Sequence, residues 1–344
     1  MAVRRRKRKG CFSIVATVLL TVGLFFCAIL LIDVVKNNII DEAGVSSSGS
    51  QSEISQKNSE VLPISQLPDY QNSGYSSATE VFEEIDVDIY SGNAILINLK
   101  NKSVVYDKNS GEKIFPASLT KIMSAIVIIE NLTDYGEEIT LPIGIYNQIY
   151  TENAATAGFL PEEKVTVIDL MYGLLLSSGA ECTLGLAEHI SGSEAEFVKL
   201  MNNKAVELGM KDTKFQNSTG LHDDNHYSTV QDIAQLLKYA LNNDMFYEVF
   251  TSDRHYTKDT NLHPNGIVLY STLFSNLTSG EFDGGEILGG KTGFTYEAGQ
   301  CLASLADIDG DRHILVTAKA LGDNKTQMLH IDDAKTVFEY LANS

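Results

Sequence analysis

The chain has 344 residues, with 45 Asp and Glu against 26 Lys and Arg and a formal net charge of -19. That length holds one large domain and additional segments. So much negative charge argues against nucleic acid as a partner, because phosphates would be repelled.

Six basic residues crowd into Arg4–Lys9 with no acid among them. An apolar run without a charge follows, from Phe12 to Ile32, about the 20 residues a helix needs to cross a bilayer. The basic cluster predicts a cytoplasmic amino terminus and an outward-facing remainder. A cleaved signal peptide is the competing reading, but the run is long and ends in Ile29-Leu30-Leu31-Ile32 with no small-residue cleavage pattern directly after it. The expected organisation is therefore a basic tail (1–11), a transmembrane signal-anchor (12–33), a flexible stalk (34–82) and an extracellular domain (83–344). The stalk assignment rests on its Ser, Asn, Gln and Gly content, too poor in apolar surface to order itself. Four cysteines are present; Cys182 and Cys301 are expected to be free, buried thiols, since one possible pair makes no disulfide framework.

Regular patterning begins near Val87. Ala94–Leu99, a turn at Lys100–Lys102 and Ser103–Tyr106 read as a β-hairpin. Ser118–Leu132 has helical spacing, Val167–Leu176 is an almost wholly apolar helix, and Thr183–Ile190 and Phe197–Leu208 are two more. Ser228 and Gln231 fit a capping box opening a further helix. Gln300–Ala306 and His313–Ala320, separated by Asp309-Gly310-Asp311, form a second hairpin, and Asp332–Leu341 is a closing helix. Strands at both ends with helices between predict an α+β domain on one antiparallel sheet.

The chemistry is concentrated in three segments. Ser118-Leu119-Thr120-Lys121 opens a helix, and residues three apart share a helix face, so Lys121 reaches the Ser118 hydroxyl. A serine needs such a base, and a lysine serves when burial lowers its pKa. Ser177-Ser178-Gly179 closes the most apolar helix, where polar residues suit a loop entering a cleft better than a core. Lys291-Thr292-Gly293, expected on an edge strand, offers a cation, a hydroxyl and a residue with no side chain to block a substrate. His222-Asp223-Asp224-Asn225-His226 reads as a polar loop. It supplies no third ligand at metal-site spacing, so neither metal nor cofactor is expected.

In this order the three segments resemble the serine penicillin-binding proteins and β-lactamases, and most closely the low-molecular-mass D-alanyl-D-alanine carboxypeptidase family. The resemblance runs from about Ala94 to Leu341. It includes Phe115–Met123, Leu174–Gly179, Ala187–Ile190, Leu208–Met210, Thr219–Leu221, His226–Ser228 and Lys291–Gly299. It implies a β-lactamase/transpeptidase-like fold and a penicillin-sensitive carboxypeptidase acting on peptidoglycan stem peptides ending in D-Ala-D-Ala. Ser118 would be the acylated nucleophile, Lys121 its base and Ser178 the proton relay to the leaving group. Lys291 would supply positive potential, and Thr292 with Thr295 would hold the substrate carboxylate beside Gly293. The N–H groups of Ser118 and Phe294 would form the oxyanion hole.

There are two departures. Ala180 stands where the family's second motif has Asn, leaving that work to Glu181 or to water. His330 stands where many members place a carboxylate-binding Arg, and an imidazole would be a weaker or pH-dependent anchor. Two rival readings follow: a catalytically weak sensor of muropeptides or β-lactams, favoured by Ala180, and a β-lactamase using Glu162 or Glu163.

Overall fold

The computed structural model describes residues 87–323 and 327–344. The expected tail, anchor and stalk lie outside the described residues. Among those described, no helix is long and apolar enough to cross a membrane.

The first hairpin is β1 (Asn93–Asn98) and β2 (Val104–Lys108). The late hairpin is β9 (Gly299–Ile308) and β10 (Asp311–Ala320). β1 pairs antiparallel with β10, so the chain's first and last strands lie side by side at the centre of one sheet. Two strands complete it, β7 (Glu281–Phe282) and β8 (Gly285–Thr295), in the order β2-β1-β10-β9-β8-β7. β7 pairs only with Gly285 and Glu286, so the Lys291–Thr295 end of β8 is a free edge, as expected from the sequence.

Both sheet faces are covered. Alternate residues of β1 go to opposite sides, Ile95 and Ile97 into one core and Ala94 and Leu96 into the other, as the period of two requires. The second core is closed by α8 (Leu329–Ala342) through Ile331, Ala334, Val337 and Phe338. Asp333 of that helix accepts hydrogen bonds from the N–H groups of Tyr90 and Ser91 and from the Ser91 hydroxyl, fastening the domain's start to its end.

The other core surrounds α1 (Thr120–Asn131), whose residues Thr120 to Ile129 are all buried. A helix apolar on every side has to be central. Around it lie α3 (Val167–Leu175), α4 (Ala180–Ser191), α5 (Glu194–Glu207), α6 (Val230–Ala240) and α7 (Asp244–Thr251). The sequence reading did not mark α2 (Ile143–Thr151), α7, β7, the short pair β3 (Glu138–Thr140) and β4 (Lys164–Thr166), or the ribbon β5 (Arg254–Tyr256) with β6 (Val268–Tyr270).

One boundary differs from expectation. Thr229, not Ser228, caps α6, accepting from the Asp232 N–H. The Ser228 backbone exchanges two hydrogen bonds with Ile114 instead, so Ser228 is held in a β-bridge and the cap moves one residue on. Cys182 and Cys301 are free and buried, as expected.

Candidate active site

Ser118 sits in a single 3-10 turn, Ala117–Leu119, directly before α1. Ala117 has φ +47, a left-handed conformation that costs an alanine about 1 kcal/mol or more. That strain turns the chain abruptly and presents Ser118 at the helix mouth. Lys121 Nζ lies 3.2 Å from Ser118 Oγ and donates to the Thr219 carbonyl at 2.7 Å. Burial lowers the Lys121 pKa to about 8, against the opposing pull of Glu181, Cys182 and Glu194. A lysine so placed can accept the serine proton near neutral pH.

Gly220 and Gly293 make this corner possible. Gly220 has φ +85, and a Cβ there would fall 1.9 Å from the Ala117 carbonyl oxygen. A Cβ on Gly293 would lie 3.0 Å from the Ser118 nitrogen. The edge of β8 thus passes close to the nucleophile's backbone, which is what the glycine of Lys-Thr-Gly allows.

Ser178 follows α3 with φ +60, a second strained residue. Its hydroxyl accepts from Lys291 Nζ at 3.0 Å, while Lys291 also donates to the Thr292 carbonyl at 2.8 Å. Lys291 is wholly buried, and burial first, then Lys121, pushes its pKa well below that of a free lysine.

These residues face one cavity of about 800 Å³, lined by Ser118, Lys121, Ser178, Thr292, Gly293, Phe294, Thr295 and His330 among others. Lys291 approaches from behind, through Ser178. Every candidate site residue expected from the sequence is therefore brought to the cavity or into contact with a residue that lines it.

Several neighbours carried no signal in the sequence. Glu152 to Ala155 form part of the wall, as do Thr272 and Asn276. Thr272 Oγ1 is 2.6 Å from Thr292 Oγ1. His222 lines the cavity and meets Phe115 edge-on at 4.7 Å. His226 serves the scaffold instead. Its Nε2 is 2.8 Å from Thr120 Oγ1 and its Nδ1 accepts from the Gln216 N–H, so both ring nitrogens are engaged in structure. Thr219, marked only as part of a matched segment, supplies the carbonyl that holds Lys121.

Both departures from the family pattern take a definite form in the structure. Ala180 lines the cavity. Glu181 makes no hydrogen bond to Lys121: its Oε1 accepts from the N–H groups of Ala157, Gly158 and Phe159, while Lys121 donates to Ser118 and Thr219. His330 is buried with Nδ1 2.9 Å from Gln300 Oε1, and burial lowers its pKa to about 4. A neutral ring at neutral pH follows.

The chain is 38% identical over 247 residues to D-alanyl-D-alanine carboxypeptidase DacF of Bacillus subtilis, a match covering 69% of this chain and 60% of that protein. It is 33% identical over 229 residues to DacC of Escherichia coli, covering 64% and 54%. The matched region thus spans little more than half the length of these relatives. Among solved structures, the Streptomyces K15 DD-transpeptidase superposes with a TM-score of 0.65 at 24% identity, over 74% of this chain and 97% of that one. A D-alanyl-D-alanine carboxypeptidase from Mycobacterium tuberculosis gives 0.63 at 22%, over 75% and 93%. At such identities the likeness concerns the fold, which is the α+β transpeptidase fold expected from the sequence. The family model for D-alanyl-D-alanine carboxypeptidases matches residues 78–322, so the chain belongs to the D-alanyl-D-alanine carboxypeptidase family.

Proposed function

We propose that this chain is a serine-type D-alanyl-D-alanine carboxypeptidase acting through an acyl-enzyme on peptidoglycan stem peptides, and that β-lactams inhibit it covalently. The observation that carries the reading is the pair of buried lysines, one on each serine: Lys121 on Ser118 and Lys291 on Ser178. Ser118 Oγ attacks the carbonyl carbon between the two D-Ala residues, and its proton passes to Lys121. The oxyanion is received by the N–H groups of Ser118 and Phe294. The C–N bond breaks as the leaving D-Ala nitrogen takes a proton through Ser178, which Lys291 holds. Water then attacks the ester and restores Ser118. A β-lactam enters the same way, but its amine stays tethered after the ring opens, and the ester persists.

We also propose that Phe12–Ile32 anchors the protein in the cell membrane as a single pass, with residues 83–344 outside. Support comes from the uncharged run and the preceding basic cluster. Mass spectrometry of the membrane fraction should find peptides from before Asp33 on the mature protein. A mature terminus inside the Ser-rich segment would refute the anchor.

The test of function is direct. The wild-type chain should release D-Ala from a D-Ala-D-Ala pentapeptide and take up one fluorescent penicillin, and Ser118→Ala should do neither. Labelling that persists in that variant would reject Ser118. A weak sensor is the second reading, favoured by Ala180; it requires acylation without turnover. The β-lactamase reading has lost its glutamate: Glu163 is buried and accepts from the Leu160 N–H and Thr260 Oγ1, with His263 Nδ1 at 2.7 Å. Neither Glu162 nor Glu163 lines the cavity.

A further inference from the structure

No arginine of the described residues lines the cavity. Among the described residues the arginines are Arg254 and Arg312. Arg254 pairs with its neighbour Asp253, and Arg312 stands over the Tyr247 ring; neither lines the cavity. A terminal carboxylate entering here needs donors from elsewhere.

His330 is not one of them. Gln300 Nε2 donates to the carbonyls of Asp323 at 2.9 Å and Gln327 at 3.0 Å. This fixes the amide's orientation, so Gln300 Oε1 is the atom facing His330 and can only accept. The proton of the neutral ring is therefore on Nδ1, and Nε2 carries a lone pair. A lone pair repels a carboxylate oxygen. The low pKa given by burial keeps the ring in this form at neutral pH.

Beside Gly293 on the β8 edge the side-chain donors are hydroxyls. Thr292 and Thr272 have two between them at an Oγ–Oγ distance of 2.6 Å. One proton bridges the pair, and the other is left over whichever oxygen donates. Thr295 Oγ1 accepts from the Ala298 N–H at 3.0 Å, so its proton is also available. Thr272 is locked at both backbone ends: its N–H donates to the Leu176 carbonyl at 3.0 Å, and its carbonyl accepts from Asn276 Nδ2 at 2.8 Å. Leu176 directly precedes Ser177-Ser178. Thr272 thus joins the segment bearing the second motif to the hydroxyl of the third.

From this, and resting on the carboxypeptidase reading above, we infer that Thr272 is a positioning residue for substrate recognition. Its hydroxyl couples to Thr292, and the pair together with Thr295 holds the terminal carboxylate in place of an arginine. Coupling polarises the hydroxyl that faces the anion, as chained hydrogen bonds do, and keeps it from rotating away.

The test separates recognition from chemistry. Full-length Ser118→Ala, which cannot form the acyl-enzyme, is titrated with an N-acylated D-Ala-D-Ala peptide and with its carboxy-terminal amide, followed by ligand NMR. The acid should bind more tightly than the amide. Thr272→Val, added to that background, should cut this preference about tenfold, the scale of one hydrogen bond to an anion. Thr272→Ser should keep it. Equal weakening of both ligands, or an unchanged preference in Thr272→Val, would overturn the inference. Thermal melts of each variant identify a folding defect, and Thr272→Ser then carries the decision: a preference lost despite the retained hydroxyl also overturns it. The functional reading fails on a different result, namely wild-type protein that neither releases D-Ala nor takes up penicillin. The acid-to-amide preference still decides the role of Thr272 in that case.

Discussion

At Lys121 two effects oppose one another. Burial strips water from the ammonium, while the negative charges of Glu181 and Glu194 favour it, and burial prevails with a pKa of about 8. The useful form is the free amine, so activity should rise with pH through that value. At pH 7 about one molecule in ten has a neutral Lys121, and at pH 9 about nine in ten. Acylation by a β-lactam, timed by intact-protein mass spectrometry, should therefore accelerate roughly tenfold between pH 7 and pH 9 and level off above. A flat profile would remove Lys121 from the role of base. A second prediction concerns Ala180. The site lacks one polar group there, and Glu181 is committed to three backbone amides. A missing hydrogen bond of this kind is worth about 1–3 kcal/mol, or roughly tenfold to a few hundredfold in rate. Ala180→Asn should accordingly raise acylation or turnover without loss of folding. A slower variant would mean that the space beside Ala180 is already used. At this scale the sequence was informative wherever chemistry depends on close spacing: Ser118 and Lys121 share a helix face because they are three residues apart. Thr272 was invisible because its partner Thr292 is distant in sequence and no local pattern links two threonines.

The elements around the cavity differ in how they are held. α2 buries Ile145, Tyr146 and Ile149 in the main core, whereas the wall that follows it is fastened by one side chain from α4. Glu181 Oε1 gathers the N–H groups of Ala157, Gly158 and Phe159, at 2.7, 2.9 and 3.3 Å. Burial raises the Glu181 pKa and those amides lower it again. Removing the acceptor would strand three donors. Glu181→Ala should cost at least about 3 kcal/mol, a fall in Tm of roughly 10 °C for a domain of this size. Glu181→Gln retains a carbonyl oxygen and should cost less than half as much. Equal losses in the two variants would show that packing, not the amide cluster, explains the residue. The β5–β6 ribbon is held by side chains as well: His255 reaches Asp169 at 2.7 Å, and His263 reaches Glu163 at 2.7 Å. The wall and the ribbon were illegible in the sequence because distant polar contacts hold them rather than an apolar stripe. Six of the helices and both hairpins were legible because their apolar periods are their cause; α2 and α7 were not. The displaced cap of α6 shows the limit: Ser228 and Thr229 both suit capping, and the bridge to Ile114, distant in sequence, decided between them.

Across the whole molecule, three buried histidines link stability to acidity; burial lowers the pKa of His313 as well, and the two with the large shifts are His226 and His330. His226 holds the start of α1 through Thr120, and His330 holds Gln300 beside the cavity. Burial lowers both pKa values from 6.5 to about 4. Unfolded, each would bind a proton near pH 6.5. Folded, each stays neutral until about pH 4. Between those values the unfolded chain binds more protons, so stability falls as pH falls, and below about 4 these two groups contribute no further loss. Carboxyls act in the opposite direction: the buried Glu181 and Asp232 and the exposed Glu152 have raised pKa values, so the folded state takes up their protons first on acidification. The histidine shifts are large and lie at higher pH, so they dominate the first part of an acid titration. Urea unfolding of the wild-type chain from pH 7 to pH 4.5 should show a steady decline. His330→Asn preserves a donor toward Gln300 but cannot titrate. Its decline should be shallower by up to about 1.4 kcal/mol per pH unit, the slope of one linked proton. Parallel declines in the two proteins would mean that His330 binds protons alike in the folded and unfolded states. The lowered pKa of His330 would then have to be given up.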